Sequence, residues 1–416
     1  MLKVLFTVGY LLRAVSSSQF VARSPEMIDD FRHRLLETAT AMAKVDKGFD
    51  VVIVCTGTAT QAAYWNQRLN AVIGSVLKDG TEVICVDEDW DGGAGNGLGT
   101  LYAYQKADQA AVKCGKASLT ERLQSGSISA ALYHTAGKGT RLAPLPGSEN
   151  NNKPGVKLPG SVKVDGKESP ITILEGVIRQ TGAYAASRKG RLSVFWGDQV
   201  FIPTASTEYA ADFHVDILCS LLPTTPTAEE WEKKKLQSYG LIAMLQSGEG
   251  AQVEKVSHAD ANNLLSALGS IDKCGPSLGS FSVGAEILAG LITEFSSELA
   301  AKTGKLDTDP HFWMPMTLPL ESYKTLMATK GMCGDEAEKH FDRMNKFKET
   351  LSKEKKFFGA VDVGEATYWW DYGQLPKYAE FNLTMVETSA EAAAMRAFFG
   401  AEPFDSSKHP RIQGVC

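Results

Sequence analysis

The stretch His134-Thr135-Ala136-Gly137-Lys138-Gly139-Thr140-Arg141-Leu142-Ala143-Pro144-Leu145 sets two cations in a glycine-rich loop, directly after an apolar run at residues 128–133. A third cation, Lys153, stands before Pro154 a short way on. Glycines let backbone N–H groups crowd an anion, and Lys and Arg neutralise it, so the pattern suits a polyphosphate. No Gly-Lys-Ser/Thr follows, which excludes the P-loop of kinases and ATPases. The candidate cradle is Ala136, Gly137, Lys138, Gly139, Thr140 and Arg141, with Lys153 close behind.

Polyphosphate chemistry also calls for carboxylates at strand ends, where they can hold a divalent metal. Val194-Phe195-Trp196-Gly197-Asp198 is an apolar run closing on such a carboxylate. Asp371, in Tyr368-Trp369-Trp370-Asp371-Tyr372-Gly373, is either a second one or a cap at an aromatic corner; Asp362 and Glu365 are alternates nearby. Gly240 opens a segment that ends in Val253-Glu254-Lys255-Val256. Strand neighbours face opposite sides, so Glu254 and Lys255 share a ligand only at a bulge or strand end. A second glycine cluster, Gly92 to Thr100 with Gly97 inside it, opens a helix whose N-terminus is a ready anion site. The run Asp309-Pro310-His311-Phe312-Trp313-Met314-Pro315 is distinctive, and His311 in it reads as structural.

These groups need a scaffold. Continuous apolar runs at 49–56, 81–86, 128–134 and 192–196 alternate with helical patterns at 98–112 and 171–186. That order predicts an α/β fold with a largely parallel sheet covered by helices. Residues 239–256 and 277–288 are mixed, and the charged stretch 333–356 reads as a lid or surface helix. The segments 144–170 and 223–238 read as surface loops.

The chain of 416 residues, 44% hydrophobic and 22% charged, has room for one large α/β domain with an extension, or for two or three lobes. A net charge of -6 without a basic block argues against a nucleic-acid partner, whereas a phosphate substrate needs only a local basic pocket. The seven cysteines are scattered without a Cys-x-x-Cys pair, which points to a reducing, cytoplasmic setting and away from structural zinc. Lys3, the apolar run 4–12, Arg13 and a serine cluster outline a short targeting segment, too short to span a membrane. The unpaired cysteines favour an ordinary buried element there instead.

The order Gly137-Lys138-Gly139-Thr140-Arg141-Leu142, Lys153-Pro154, Gly197-Asp198, Glu254-Lys255 and Trp370-Asp371-Tyr372-Gly373 resembles the signature of sugar-1-phosphate nucleotidylyltransferases, the nucleotide-sugar pyrophosphorylases. Ala136 stands where the family usually has a glycine, and Gln374 replaces a usual threonine. The resemblance implies a glycosyltransferase-A-like sheet, with a catalytic domain over residues 128–385, N-terminal elements over residues 1–127 packed on it, and a C-terminal extension over residues 386–416. It implies that an NTP and a sugar 1-phosphate give a nucleoside-diphosphate sugar and pyrophosphate, with Mg2+ as cofactor. Arg141 and Lys138 would then hold the β- and γ-phosphates, and Lys153 would stabilise charge at the α-phosphorus. Asp198 and Asp371 would carry the metal. Glu254, Lys255 and Gly240 would hold the sugar phosphate.

Farther forward, Phe49-Asp50-Val51-Val52, Gln61-Ala62-Ala63-Tyr64 and the 92–100 cluster resemble the front of fucose-1-phosphate guanylyltransferases. UTP or GTP is the favoured nucleotide on this reading, with Gly97 beside it. Two alternatives stand: a nucleotide-sugar sensor on the same fold that has lost turnover, and a glycosyltransferase. The latter class usually carries Asp-x-Asp, for which Asp87-Glu88-Asp89 and Asp307-Thr308-Asp309 are the near candidates.

Overall fold

The apolar runs become strands, and those at 49–56, 128–134 and 192–196 are buried on both faces. The strands are β1 (Val51–Thr56), β2 (Glu82–Asp87), β3 (Ala130–His134), β4 (Lys157–Val164), β5 (Lys167–Thr172), β6 (Arg191–Trp196), β7 (Gln199–Ile202), β8 (Phe213–Cys219), β9 (Gly240–Leu245), β10 (Gly250–Glu254), β11 (Ile271–Gly284), β12 (Lys356–Asp362) and β13 (Tyr368–Asp371). The structure, a computed structural model, describes residues 25–137, 142, 145, 153–222, 225–364 and 368–403. Lys138, Gly139, Thr140, Arg141, Glu365 and the run 4–12 lie outside the described residues.

The central sheet runs β10-β9-β11-β6-β3-β1-β2, with β8 paired to β11 and β12 paired to β8. It is parallel through β2-β1-β3-β6. The long β11 then runs antiparallel to β6, β8 and β9. The expected α/β class therefore holds, with a mixed sheet. Alternation along β1 explains its double burial. Val52 and Val54 join Ala131, Tyr133 and Phe195 on one face, and Val51, Ile53 and Cys55 join Leu132 and Val194 on the other. The first face is covered by the helices Pro25–Met42, Ala59–Asn70, Ile173–Thr181 and Ala390–Phe399. The second carries Gly95–Lys113, Ala285–Glu294 and Gly334–Glu349. A third apolar cluster, including Trp231, Leu241, Val253, Met314 and Tyr323, backs the β9–β10 hairpin.

Two readings are corrected. The loop read at 144–170 contains the antiparallel β4–β5 pair. The helix read over 333–356 ends at Glu349 and gives way to β12, and it buries Ala337, Met344 and Phe347, so it is an amphipathic surface helix. The helix read over 171–186 starts at a capping box, Thr172 with Glu175, and is continued by a 3-10 run over Gly182–Arg188. No helix among the described residues is long and apolar enough to cross a membrane.

Candidate active site

The chemistry-bearing residues collect beyond the carboxyl ends of β3 and β6. At the tip of β3, Thr135 donates its N–H and its hydroxyl to the Cys55 carbonyl, at 2.8 and 2.9 Å. His134 Nε2 meets Thr100 Oγ1 at 2.8 Å, and burial lowers its pKa to about 4, so the ring is neutral. At the tip of β6, a Cβ on Gly197 would lie 3.2 Å from the His134 carbonyl, the Pro154 ring and the Thr135 methyl. Glycine lets this turn close down on Pro154, and that approach brings Lys153 to Asp198. Lys153 Nζ donates directly to Asp198 Oδ2.

Asp371 reaches the same place from far along the chain. The short strands β7 and β13 pair antiparallel, with Asp371 opposite Gln199, and the Tyr372 N–H donates to the Asp198 carbonyl at 2.9 Å. Asp371 Oδ1 accepts from the Gly373 N–H at 2.8 Å. A Cβ added to Gly373 would lie 2.8 Å from Asp371 Oδ1, 3.0 Å from Asp198 Oδ2 and 3.5 Å from Lys153 Nζ. The two carboxylates and the lysine thus surround one small volume. Among the described residues no cluster of three or more His, Cys, Asp or Glu side chains forms a ready-made metal cage. Two carboxylates fit magnesium nonetheless, because that ion keeps waters and takes substrate phosphates as its remaining ligands.

The opposite wall is the β9–β10 hairpin. Gly240 pairs with Glu254 in its register. β10 ends at Glu254, and Lys255 adopts a left-handed backbone with φ of 55° while its N–H donates to the Tyr239 carbonyl at 2.9 Å. That turn resolves the alternation problem. Lys255 Nζ swings back to Glu254 Oε1 at 2.8 Å, and both residues line one cleft. Lys330 Nζ approaches Glu254 Oε2 at 2.9 Å. Burial opposes charge on Glu254, but hydrogen bonds from Lys255 and Lys330 hold its carboxyl below the ordinary range.

A cleft of 370 Å3 runs from Asp371 and Gln199 to Gly240, Glu254 and Lys255, between Trp196 and Trp369. Gly279 lets the β11 backbone enter it, at φ of 76°, where a Cβ would collide with Trp196 Nε1. A second cavity of 540 Å3 adjoins the first and shares Asn96, Glu254, Lys255 and Asp309 with it.

The glycine cluster at 92–100 departs from its expected use. The helix N-terminus it opens is already filled by the protein's own acceptors. Glu88 accepts from the Ala94 N–H at 3.0 Å, Asp307 from the Asn96 N–H at 2.9 Å, and the Leu306 carbonyl from the Gly97 N–H at 2.8 Å. Gly97 is buried behind the cleft, and a Cβ there would press on the Leu306 carbonyl at 2.8 Å. Asn96 is the residue of this cluster that faces both cavities. Its Oδ1 accepts from the Thr308 N–H at 2.7 Å, which anchors the 307–309 segment at the cleft. A π-helical turn, Asp309–Trp313, follows, a form common at functional sites. Asp309 opens onto both cavities. Burial, then the negative charge of Glu254, pushes its carboxyl up to about 7.

Of the expected residues, Lys153, Asp198 and Asp371 come together, and Gly240, Glu254 and Lys255 line the cleft that Asp371 also reaches. Gly137 is exposed, and residues 138–141 lie outside the described residues. Asn96, Lys330 and Trp196 are not among the expected site residues, and Asp309 is expected only as part of Asp307-Thr308-Asp309 on the glycosyltransferase alternative; the unusual 309–315 run is its other signal. Compared with known proteins, the chain matches no family model, and no curated protein matches it significantly.

Proposed function

We propose that this protein is a sugar-1-phosphate nucleotidylyltransferase of glycosyltransferase-A-like fold. The observation that carries the reading is the convergence of Lys153, Asp198 and Asp371 at one end of a cleft whose other wall holds Gly240, Glu254 and Lys255. In-line attack on an α-phosphorus by a phosphate needs charge screening on both reactants and no general base. Lys153 supplies a cation at the reacting end, and Lys255 supplies one for the incoming sugar phosphate. Asp198 and Asp371 would hold magnesium, which would supply charge screening for the phosphates. Glu254 accepts from sugar hydroxyls. Lys138 and Arg141 neutralise the β- and γ-phosphates, and the neutral His134 holds the strand tip through Thr100.

The glycosyltransferase reading has one attraction, since Asp307-Thr308-Asp309 does sit at the cleft. One of its carboxylates is committed elsewhere, though: Asp307 Oδ1 accepts from the Asn96 N–H and caps the helix. Pyrophosphate release with magnesium, across the five NTPs and a panel of sugar 1-phosphates led by glucose and fucose, tests the proposal. Release with one pair supports it. Silence across the panel, with nucleotide sugars still raising the melting temperature, moves the function to sensing.

A further inference from the structure

We infer that Asp309 sets the sugar specificity of this site: its carboxyl reads a ring hydroxyl of an uncharged hexose or deoxyhexose 1-phosphate, beside Glu254. The inference rests on the nucleotidylyltransferase reading and adds a substrate class to it.

Position comes first. Asp309 lies on the wall shared by the two cavities, next to the Glu254–Lys255 pair. A Cβ on Gly240 would stand 4.0 Å from Asp309 Oδ2 and 3.4 Å from Gln252 Nε2, so the glycine keeps this corner open. Gln252, fully buried on the same strand face as Glu254, backs the Asp309 carboxyl with its side-chain amide. A cleft-facing carboxyl held from behind by a buried amide keeps its outer oxygen aimed at the cavity.

Charge then narrows the ligand. The groups facing Asp309 are Glu254 and Lys255 at the end of β10, Lys330 after the helix Leu320–Thr329, and Asp307 and His311 from its own segment, with Glu336 farther along the second cavity and the Asp371–Lys377 pair at the far end of the first. Both lysines are held by Glu254. Burial lowers the His311 pKa, so that ring adds no charge at neutral pH. A uronic acid would therefore bring its carboxylate against Glu254, Asp307 and Glu336 while its phosphate takes Lys255 and Glu254 holds Lys330. An uncharged ring offers hydroxyls, and a carboxyl near neutral can both donate to and accept from them.

Steady-state kinetics on the full chain test this, with UTP or GTP against glucose, fucose and glucuronate 1-phosphates. Asp309→Ala should raise the KM for the sugar phosphate at least about tenfold while the KM for the NTP stays put. Asp309→Asn keeps a donor and an acceptor of the same shape without charge. It should bind sugar phosphate about as well as the wild type at pH 6, and keep that affinity at pH 8.5, where the wild type weakens. An unchanged sugar-phosphate KM in a folded Asp309→Ala, or a higher kcat/KM for glucuronate 1-phosphate than for both neutral sugars, overturns the inference and leaves the parent reading standing. A wild type silent with every pair overturns both.

Discussion

Lys153 shows how much one residue can carry in this cleft. It is tied to Asp198, and both are only slightly exposed, at 15% and 13% of their side chains. On the nucleotidylyltransferase proposal, an arriving triphosphate would exchange that pairing for contact with the developing charge, and the lysine would work in the transition state more than in the resting protein. Lys153→Ala should lower kcat by about a hundredfold or more, the scale set by removing one electrostatic contact to the transition state. The melting temperature should also fall, because the variant leaves the mostly buried Asp198 without its partner, so folded protein must be confirmed before the rates are compared. Full activity in that variant would remove Lys153 from the mechanism. Gly373 tests the aspartates without touching them. A methyl there crowds the ends of Asp371 and Asp198, at 2.8 and 3.0 Å, and short side-chain ends can rotate aside. Gly373→Ala should therefore need a higher magnesium concentration for half-maximal activity, with little loss of stability. A magnesium titration and a melting curve check it, and an unshifted titration would separate the two aspartates from the metal.

Among the elements, the parallel half of the sheet was legible because β1, β3 and β6 are buried on both faces and so read as unbroken apolar runs. The β4–β5 pair was not, since Lys157–Val164 and Lys167–Thr172 mix Lys, Gly and Pro with few apolar residues, as a loop does. Asp198 and Asp371 each ended a readable apolar or aromatic run, but their meeting depends on two four-residue strands pairing across half the chain. Nothing local reports such a pairing. Alternation argued that Glu254 and Lys255 face apart; a left-handed residue at the end of β10 brings them together, and lysine has no preference that would reveal it. That backbone gives a prediction for the hairpin. Lys255→Gly suits the left-handed turn, so the protein should melt within a few degrees of wild type while its KM for the sugar phosphate rises. Lys255→Val loses the same charge and forces a branched side chain into that turn, which should cost about 1–2 kcal/mol of stability. Paired thermal melts and kinetics separate the two effects; equal stability in both variants would argue that the turn at Lys255 is not left-handed.

Among the molecule's titrating groups, His134 and Asp309 shift with opposite sign for stability, and they make its pH response testable without any substrate. His134 falls from 6.5 to about 4 through burial. Its folded pKa lies below its unfolded one, so the unfolded chain takes up the proton first. The stability it contributes is complete above pH 6.5 and is lost as pH falls through about 4. Asp309 rises from 3.8 to about 7, through burial and then the charge of Glu254. Its contribution is complete below pH 3.8 and is lost as pH rises through about 7. Each slope is worth roughly 3 to 4 kcal/mol at most, and between pH 4 and 6.5 the two oppose, so their joint contribution changes little there. Single variants should uncover them. His134→Gln keeps a partner for Thr100 and removes the acid loss, so its melting temperature should gain on the wild type as pH falls from 7 to 4. Asp309→Asn should gain on the wild type in the other direction, as pH rises from 4 to 8. Melting curves at pH 4, 6 and 8 measure both differences. Curves that run parallel to the wild type across that range would mean that neither group is held away from its ordinary titration, and the neutral carboxyl at the cleft wall would lose its physical basis.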